Sequence, residues 1–335
     1  MFLDLIYCII GLVLLVYCAD KLVEGASNIA LNYGVSKLVI GLTIVAAGTS
    51  LPEFVVSLNS SIKGNPELSL GNVVGSNIMN IALILGITAL IKPISCTAPM
   101  VRRDVPIMIG VSALICIFAY TSSIITPLEG LIFLILFIAY NIMSYIIGKK
   151  EGEAIPESEG ENEEEEKRPS SWVSFLWIIG GLVGMVIGSE LLVDGSVDIA
   201  KRLGISDEII GLTLVAIGTS LPELATSIMS AKKGSSDLAI GNVVGSNIFN
   251  ILAIVGTAAV VPFFKANATE TSLLKVSPDM ISLHLPVMIG VAICLLPIMI
   301  SDMKITRKEG TFFVVVYVAY TIMLIYTTLN GTTVQ

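Results

Sequence analysis

Two stretches of this chain are near-copies of one another. IGLTIVAAGTSLPEF, beginning at Ile40, returns as IGLTLVAIGTSLPEL at Ile210, and GNVVGSNIMNI at Gly71 returns as GNVVGSNIFNI at Gly241. The offset is 170 residues both times, and roughly 29 of the 47 positions in 40–86 match their counterparts in 210–256. Whatever unit the first half folds into, the second half folds into again.

The residues around these blocks say which solvent the unit faces. Of 335 residues, 54% are hydrophobic and only 14% are charged. Soluble domains carry about 25% charged residues. A helix needs about 20 mainly apolar residues to cross a bilayer. About ten segments meet that requirement: 3–31, 37–63, 68–91, 105–120, 125–147, 171–200, 208–232, 238–263, 283–300 and 310–328. The second and third carry polar interruptions, and the seventh and eighth repeat them. The chain begins MFLDLIYCII, without the basic start of a cleaved leader, so the first segment is expected to stay as a span.

Five spans per copy is an odd number. The chain then meets its second copy from the opposite side of the membrane, so the copies are expected to be inverted. The predicted architecture is an all-α membrane protein of ten transmembrane helices. It comprises a five-helix repeat at 1–148, an acidic linker at 149–170 and a second five-helix repeat at 171–335. Basic residues orient it. One set of alternate loops holds thirteen of the 19 Lys and Arg, the other holds only Lys63, Lys201, Arg202, Lys265 and Lys275, and Lys21 lies within the first span and counts for neither. The richer set is expected to be cytoplasmic, which places both termini outside and the linker inside a cell membrane.

The formal charge of -8 comes mostly from the run at 151–166, EGEAIPESEGENEEEE. Without it the chain is nearly neutral, so no nucleic-acid partner is implied. The run is too short for a regulatory domain and reads as a solvated tether. Cys8, Cys18, Cys96, Cys116 and Cys294 are odd in number and scattered, which argues against a disulfide framework or a zinc site. The single histidine, His284, excludes two-histidine metal motifs within one chain and reads as an interfacial residue.

Chemistry concentrates at Glu53 and Glu223. A charge at mid-membrane costs about 2.5–3.5 kcal/mol on insertion scales. No Lys or Arg lies at comparable depth to pair with either, so a cation site is the default expectation. Each Glu follows Gly-Thr-Ser-Leu-Pro. Pro52 and Pro222 cannot continue an unbroken helix, and Gly48 and Gly218 add local freedom. The helix is therefore predicted to break there and free backbone carbonyls, which are tolerated at that depth where they line a cavity or bind an ion. Ser50 shares a helix face with Glu53, Ser220 with Glu223, Ser76 with Asn80 and Ser246 with Asn250. The donors are all oxygens, which suits hard cations such as calcium and not zinc, copper or iron. Gly71 and Gly75 have the spacing of close helix packing, while Asn72, Asn77, Asn242 and Asn247 divide between interhelical hydrogen bonding and support of the site. Two carboxylates match one divalent or two monovalent cations, and an empty site leaves like charges unpaired, which suits exchange.

The two blocks resemble the alpha repeats of the cation/calcium exchanger superfamily, specifically its sodium/calcium exchanger branch. GTSLPE and GNVVGSNI match in both halves, and the ten-span plan covers nearly the whole chain. The resemblance implies a secondary antiporter working by alternating access, with the first and sixth spans sliding across the other eight. It implies calcium between Glu53 and Glu223, joined by the carbonyls of Thr49 and Thr219, with Asn80 and Asn250 completing the centre. It implies two sodium positions. One uses the carbonyl of Ala46 with Ser50 and Ser76, and the other uses the carbonyl of Ala216 with Ser220 and Ser246. Relatives often carry aspartate at one of the positions matching Asn80 and Asn250, whereas here both are asparagine. The expected partners are calcium and sodium ions and the lipid bilayer, with no resident cofactor and no obligatory protein partner. The competing readings are a calcium/proton or potassium-dependent antiporter on the same scaffold, a cation channel, and an intramembrane enzyme. The last lacks an activated nucleophile or a zinc motif.

Overall fold

The computed structural model describes residues 2–153, 169–203, 216–264 and 273–330. The described chain is helical apart from four two-residue strands. Helix α1 (Phe2–Tyr33) ends where Gly34 turns to a φ of +60°, a conformation glycine adopts without steric cost. Ser36 then caps α2 (Lys37–Thr49), its hydroxyl accepting the Val39 N–H at 3.4 Å.

The predicted break follows. Ser50 leaves helical geometry (φ −85°, ψ 10°), and α3 (Leu51–Ile62) departs at 49° from α2. Pro52 sits in the first turn of α3, where its missing N–H would have had no helical partner anyway. Gly64, at φ +90°, reverses the chain into α4 (Pro66–Ile91). Helices α5 (Met100–Ser122) and α6 (Pro127–Glu153) complete the first half. The second half repeats the order. It runs through α7 (Ser171–Arg202), α8 (Ala216–Thr219), α9 (Leu221–Lys232), α10 (Ser236–Val260), α11 (Met280–Asp302) and α12 (Arg307–Asn330).

Eight of the described helices are long and apolar enough to span a membrane, or nine if the bent pair α2–α3 counts as one span. Ten spans were expected. The difference is the seventh segment, whose first part, 208–215, lies outside the described residues. Most of the acidic linker (154–168) also lies outside them, as does Lys265. Two boundaries shift for a physical reason. The fourth span was expected at 105–120, but α5 starts at Met100 with one π-helical turn. That turn carries charges the hydropathy pattern rejects. Arg103 pairs with Asp104 at 2.9 Å and with Glu151, at the end of α6, at 2.6 Å. The ninth span likewise starts at Met280.

Helices α4 and α10 are the centre of the molecule. In their most apolar windows 72% and 83% of residues are buried, against 11–33% in the other spans. Each contains a π-helical turn, at Asn80–Leu85 and Asn250–Val255, a feature that often marks functional sites. At the periphery β1 (Ile94–Ser95) pairs antiparallel with β4 (Lys304–Ile305), and β2 (Ile124–Ile125) with β3 (Leu274–Lys275). These strand pairs thus tie one half to the other at two places.

Helices α1 and α7 form a long antiparallel pair joined through glycine. A Cβ placed on Gly195 would lie 2.6 Å from the Asp4 carbonyl, on Gly11 2.6 Å from the Gly188 carbonyl, and on Gly25 2.6 Å from the Ser174 carbonyl. Partner numbers fall as α1 numbers rise, which defines the antiparallel sense. Backbone meets backbone along the whole length, the small-residue contact typical of membrane helices.

Candidate cation site

The helix breaks bring the two GTSLPE blocks face to face. Glu53 and Glu223, in the first turns of α3 and α9, are each only 1% exposed. Ser50 Oγ donates to Glu223 Oε1 at 2.8 Å, and Ser220 Oγ donates to Glu53 Oε1 at 3.0 Å. Each carboxylate is therefore held by the hydroxyl of the other half. Among the described residues no Lys, Arg or His forms an ion pair with either carboxylate.

Asparagines fix the backbone under each Glu. Asn72 Nδ2 donates to the Glu53 carbonyl at 3.3 Å and to Ser57 Oγ at 3.0 Å. Asn242 Nδ2 does the same to the Glu223 carbonyl at 3.4 Å and to Ser227 Oγ at 3.2 Å. Thr49 Oγ1 donates to Asn242 Oδ1 at 3.1 Å and to the Ala46 carbonyl at 3.3 Å. The Ala46 carbonyl also receives Ser246 Oγ at 3.5 Å. Ser189 on α7 donates to the Gly218 carbonyl, one of the groups that Pro222 deprives of a helical partner.

A second network crosses between α4 and α10. Asn77 and Asn247 donate to each other's backbone carbonyls, at 3.2 and 3.4 Å. Their side-chain oxygens accept from the outer pair, Asn80 Nδ2 to Asn247 Oδ1 at 2.9 Å and Asn250 Nδ2 to Asn77 Oδ1 at 3.0 Å. With its amide nitrogen pinned, each outer asparagine presents its oxygen elsewhere. The result is four buried acceptors without a hydrogen-bond partner: Glu53 Oε2, Glu223 Oε2, Asn80 Oδ1 and Asn250 Oδ1. Buried acceptors are normally satisfied, and a bound cation is one partner that suits oxygens of this kind.

Of the residues singled out by sequence, Glu53, Glu223, Thr49, Ser50, Ser220, Ala46 and Ser246 are joined by the first set of contacts, while Asn80 and Asn250 belong to the second network, between α4 and α10. Ser76 is buried on α4 one turn before Asn80. Thr219 lines a cleft of about 360 Å³ between α3 and α7. Ala216 opens α8, but its side chain lies outside the described residues. Among the described residues no three His, Cys, Asp or Glu side chains gather as a metal group, at this site or away from it. Sequence reasoning missed Met108 and Met288, whose sulfurs approach Asn247 Nδ2 at 3.6 Å and Asn77 Nδ2 at 4.0 Å. A faint signal existed, because VPIMIGV at Val105 returns as LPVMIGV at Leu285.

A multi-pass helical protein with an all-oxygen site buried at the crossing of broken helices belongs to the class of membrane cation exchangers. The match is specific. A family model described as sodium/calcium exchanger protein covers residues 3–146 and 173–326, and the chain belongs to that family. It is 34% identical over 350 residues to the sodium/calcium exchanger MaX1 of Methanosarcina acetivorans, covering 95% of this chain and 97% of that one. It is 37% identical over 314 residues to the membrane protein MJ0091 of Methanocaldococcus jannaschii, covering 93% and 95%. Its fold matches the solved structure of the sodium-calcium exchanger NCX_Mj soaked with zero Na+ and Ca2+. That match has a TM-score of 0.80 at 32% identity, over 96% of this chain and 99% of that one.

Proposed function

We propose that this protein is a secondary antiporter exchanging sodium for calcium by alternating access. The observation that carries the reading is the set of four unpartnered oxygens, two of them carboxylate, enclosed where the two halves hold each other's Glu. Calcium takes six to eight oxygen ligands, carboxylate and carbonyl included. Glu53, Glu223, Asn80 and Asn250 offer side-chain oxygens, and the carbonyls of Thr49 and Thr219 add to them. Sodium takes the flanking positions, one from the Ala46 carbonyl, Ser50 and Ser76, the other from the Ala216 carbonyl, Ser220 and Ser246. Two buried like charges disfavour crossing without cargo, which makes obligatory exchange the natural cycle.

The halves are inverted repeats, ten spans in all. The antiparallel run of α1 against α7, which are repeat counterparts, supports this, as do contacts that each half returns to the other. The close glycine contacts tie α1 to α7 backbone to backbone, so that both helices move as a unit across the rest. Both termini lie outside and the acidic linker lies inside, on the bias of Lys and Arg among the loops.

The test is radioactive calcium uptake into proteoliposomes, with sodium, potassium and proton gradients imposed one at a time. Uptake driven by an outward sodium gradient, and by neither of the others, is expected. Uptake that follows the proton gradient, or requires potassium, overturns the sodium assignment. Uptake that does not saturate speaks for a channel.

A further inference from the structure

The repeat makes one asymmetry informative. At the 170-residue offset Asp20 and Glu24 on α1 correspond to Glu190 and Asp194 on α7, and Lys233, just after α9, corresponds to Lys63, just after α3. The two sets are arranged differently. Lys233 Nζ lies 2.8 Å from Asp20 Oδ1, 4.0 Å from Glu24 Oε2 and 3.2 Å from the Asp20 carbonyl. Lys21, on α1 itself, also pairs with Glu24 at 2.9 Å and lies over Trp177 of α7. On the other side Lys63, Glu190 and Asp194 form no ion pair among the described residues.

Packing follows the same division. Helix α9 lies against α1, with Leu221, Ala225 and Met229 at helical spacing on the cluster of Leu15, Ala19 and Leu22. Its counterpart α3 stands away from α7, and the cleft between them is walled by Leu51, Val55, Glu190 and Asp194 and reaches Gly218 and Thr219 beside the site. Val55 is 52% exposed where its counterpart Ala225 is 9% exposed. One flank of the site is closed by α9 on α1, while on the other a cleft runs as far as Gly218 and Thr219 and stops short of the buried carboxylates.

We infer that Lys233 is a latch: its bridge to Asp20 and Glu24 holds α9 on α1 and so keeps the Lys233-side approach shut. When the α1–α7 pair shifts, this bridge parts and Lys63 closes on Glu190 and Asp194, sealing the other approach. Two alternative bridges of the same chemistry keep the states near balance, so that cargo can tip them. The inference builds on the alternating-access reading. It differs from that reading in assigning the closing contact to named charges outside the cation site.

Hydrogen exchange measured by mass spectrometry on the purified full chain tests it without any transported ion, so a failure of sodium/calcium exchange leaves the readout intact. Lys233→Met is expected to raise amide exchange in 17–26 and 221–233. It is expected to lower exchange in 51–62 and 186–194 as the opposite cleft closes. The shift should be about two- to five-fold, the range open to half-exposed ion pairs. Lys233→Arg keeps the charge and should behave as the unsubstituted chain. Lys63→Met removes the alternative bridge and should not raise exchange in 221–233. An unchanged pattern in Lys233→Met overturns the latch. A rise without the reciprocal fall reduces Lys233 to a local tie and overturns it too, as does Lys233→Arg behaving like Lys233→Met.

Discussion

At Glu53 and Glu223, replacing one carboxylate oxygen by an NH2 group would separate a proposed cation ligand from a filler of the same shape. Glu53→Gln keeps an acceptor for Ser220 Oγ and removes an unpaired buried charge, so the variant should fold and melt at or above the parent temperature. Calcium uptake should fall about 100-fold, because a charged ligand to a desolvated cation cannot be replaced by a dipole. Glu223→Gln should match it, and uptake in proteoliposomes beside a thermal melt decides both. The inner asparagines behave differently. Asn77→Leu leaves Asn250 Nδ2 and the Asn247 carbonyl without their partners, which costs about 1–3 kcal/mol per buried group. It also frees Asn250 Oδ1 from its aim. Its melting temperature should drop, and the rise in melting temperature caused by calcium should shrink.

The carboxylates, serines and outer asparagines were legible because polarity inside an apolar run has few uses. The inner asparagines were left open between bonding and support; their bonds across α4 and α10 are seen, and they hold the amide nitrogens of Asn80 and Asn250. Met108 and Met288 were missed because an apolar residue in an apolar helix carries no signal of its partner, and the echo of VPIMIGV in LPVMIGV marks only the repeat.

Among the elements, the helix breaks were readable from Gly48 with Pro52 and Gly218 with Pro222, since proline chemistry is local. The π-helical turns at Asn80 and Asn250 were not, because nothing in their side chains distinguishes five-residue closure from four. Nor was the start of α5, where Arg103 is admitted to a span by Asp104 and Glu151. The α1–α7 seam yields a prediction at this scale. Gly11→Leu and Gly188→Leu each push a side chain into backbone already 2.6 or 2.9 Å from the added Cβ. Overpacking costs about 1–3 kcal/mol, and the seam must part to relieve it. Both variants should melt several degrees lower in detergent and exchange calcium poorly. Gly110→Ala and Gly290→Ala meet nothing within 4 Å of the added Cβ and should leave both measurements unchanged.

In the whole molecule, near-identical blocks in the two halves place two Glu in the site but cannot say which approach stands open. That choice lies in small differences such as Val55 against Ala225, and in ion pairs that form only between halves. Charge at this scale is more decisive. Glu53 and Glu223 supply two negative charges, and asparagine at both 80 and 250 supplies none. One calcium ion balances the site, and so do two sodium ions. On the proposed sodium/calcium reading, a site loaded either way would cross the membrane neutral, and a cycle of one calcium for two sodium ions would move no net charge. Sodium-driven calcium accumulation should therefore be indifferent to membrane potential. Had a third sodium ion taken part, each cycle would move one elementary charge, worth about 2.3 kcal/mol per 100 mV. A 100 mV potential set by a potassium ionophore would then change the accumulation ratio about 50-fold. Asn250→Asp adds a third carboxylate beside Asn77 and should convert the indifferent exchanger into a voltage-sensitive one. Calcium accumulation measured at 0 and 100 mV in both proteins checks this, and a 50-fold response in the unsubstituted chain would show that a third cation travels without a carboxylate of its own.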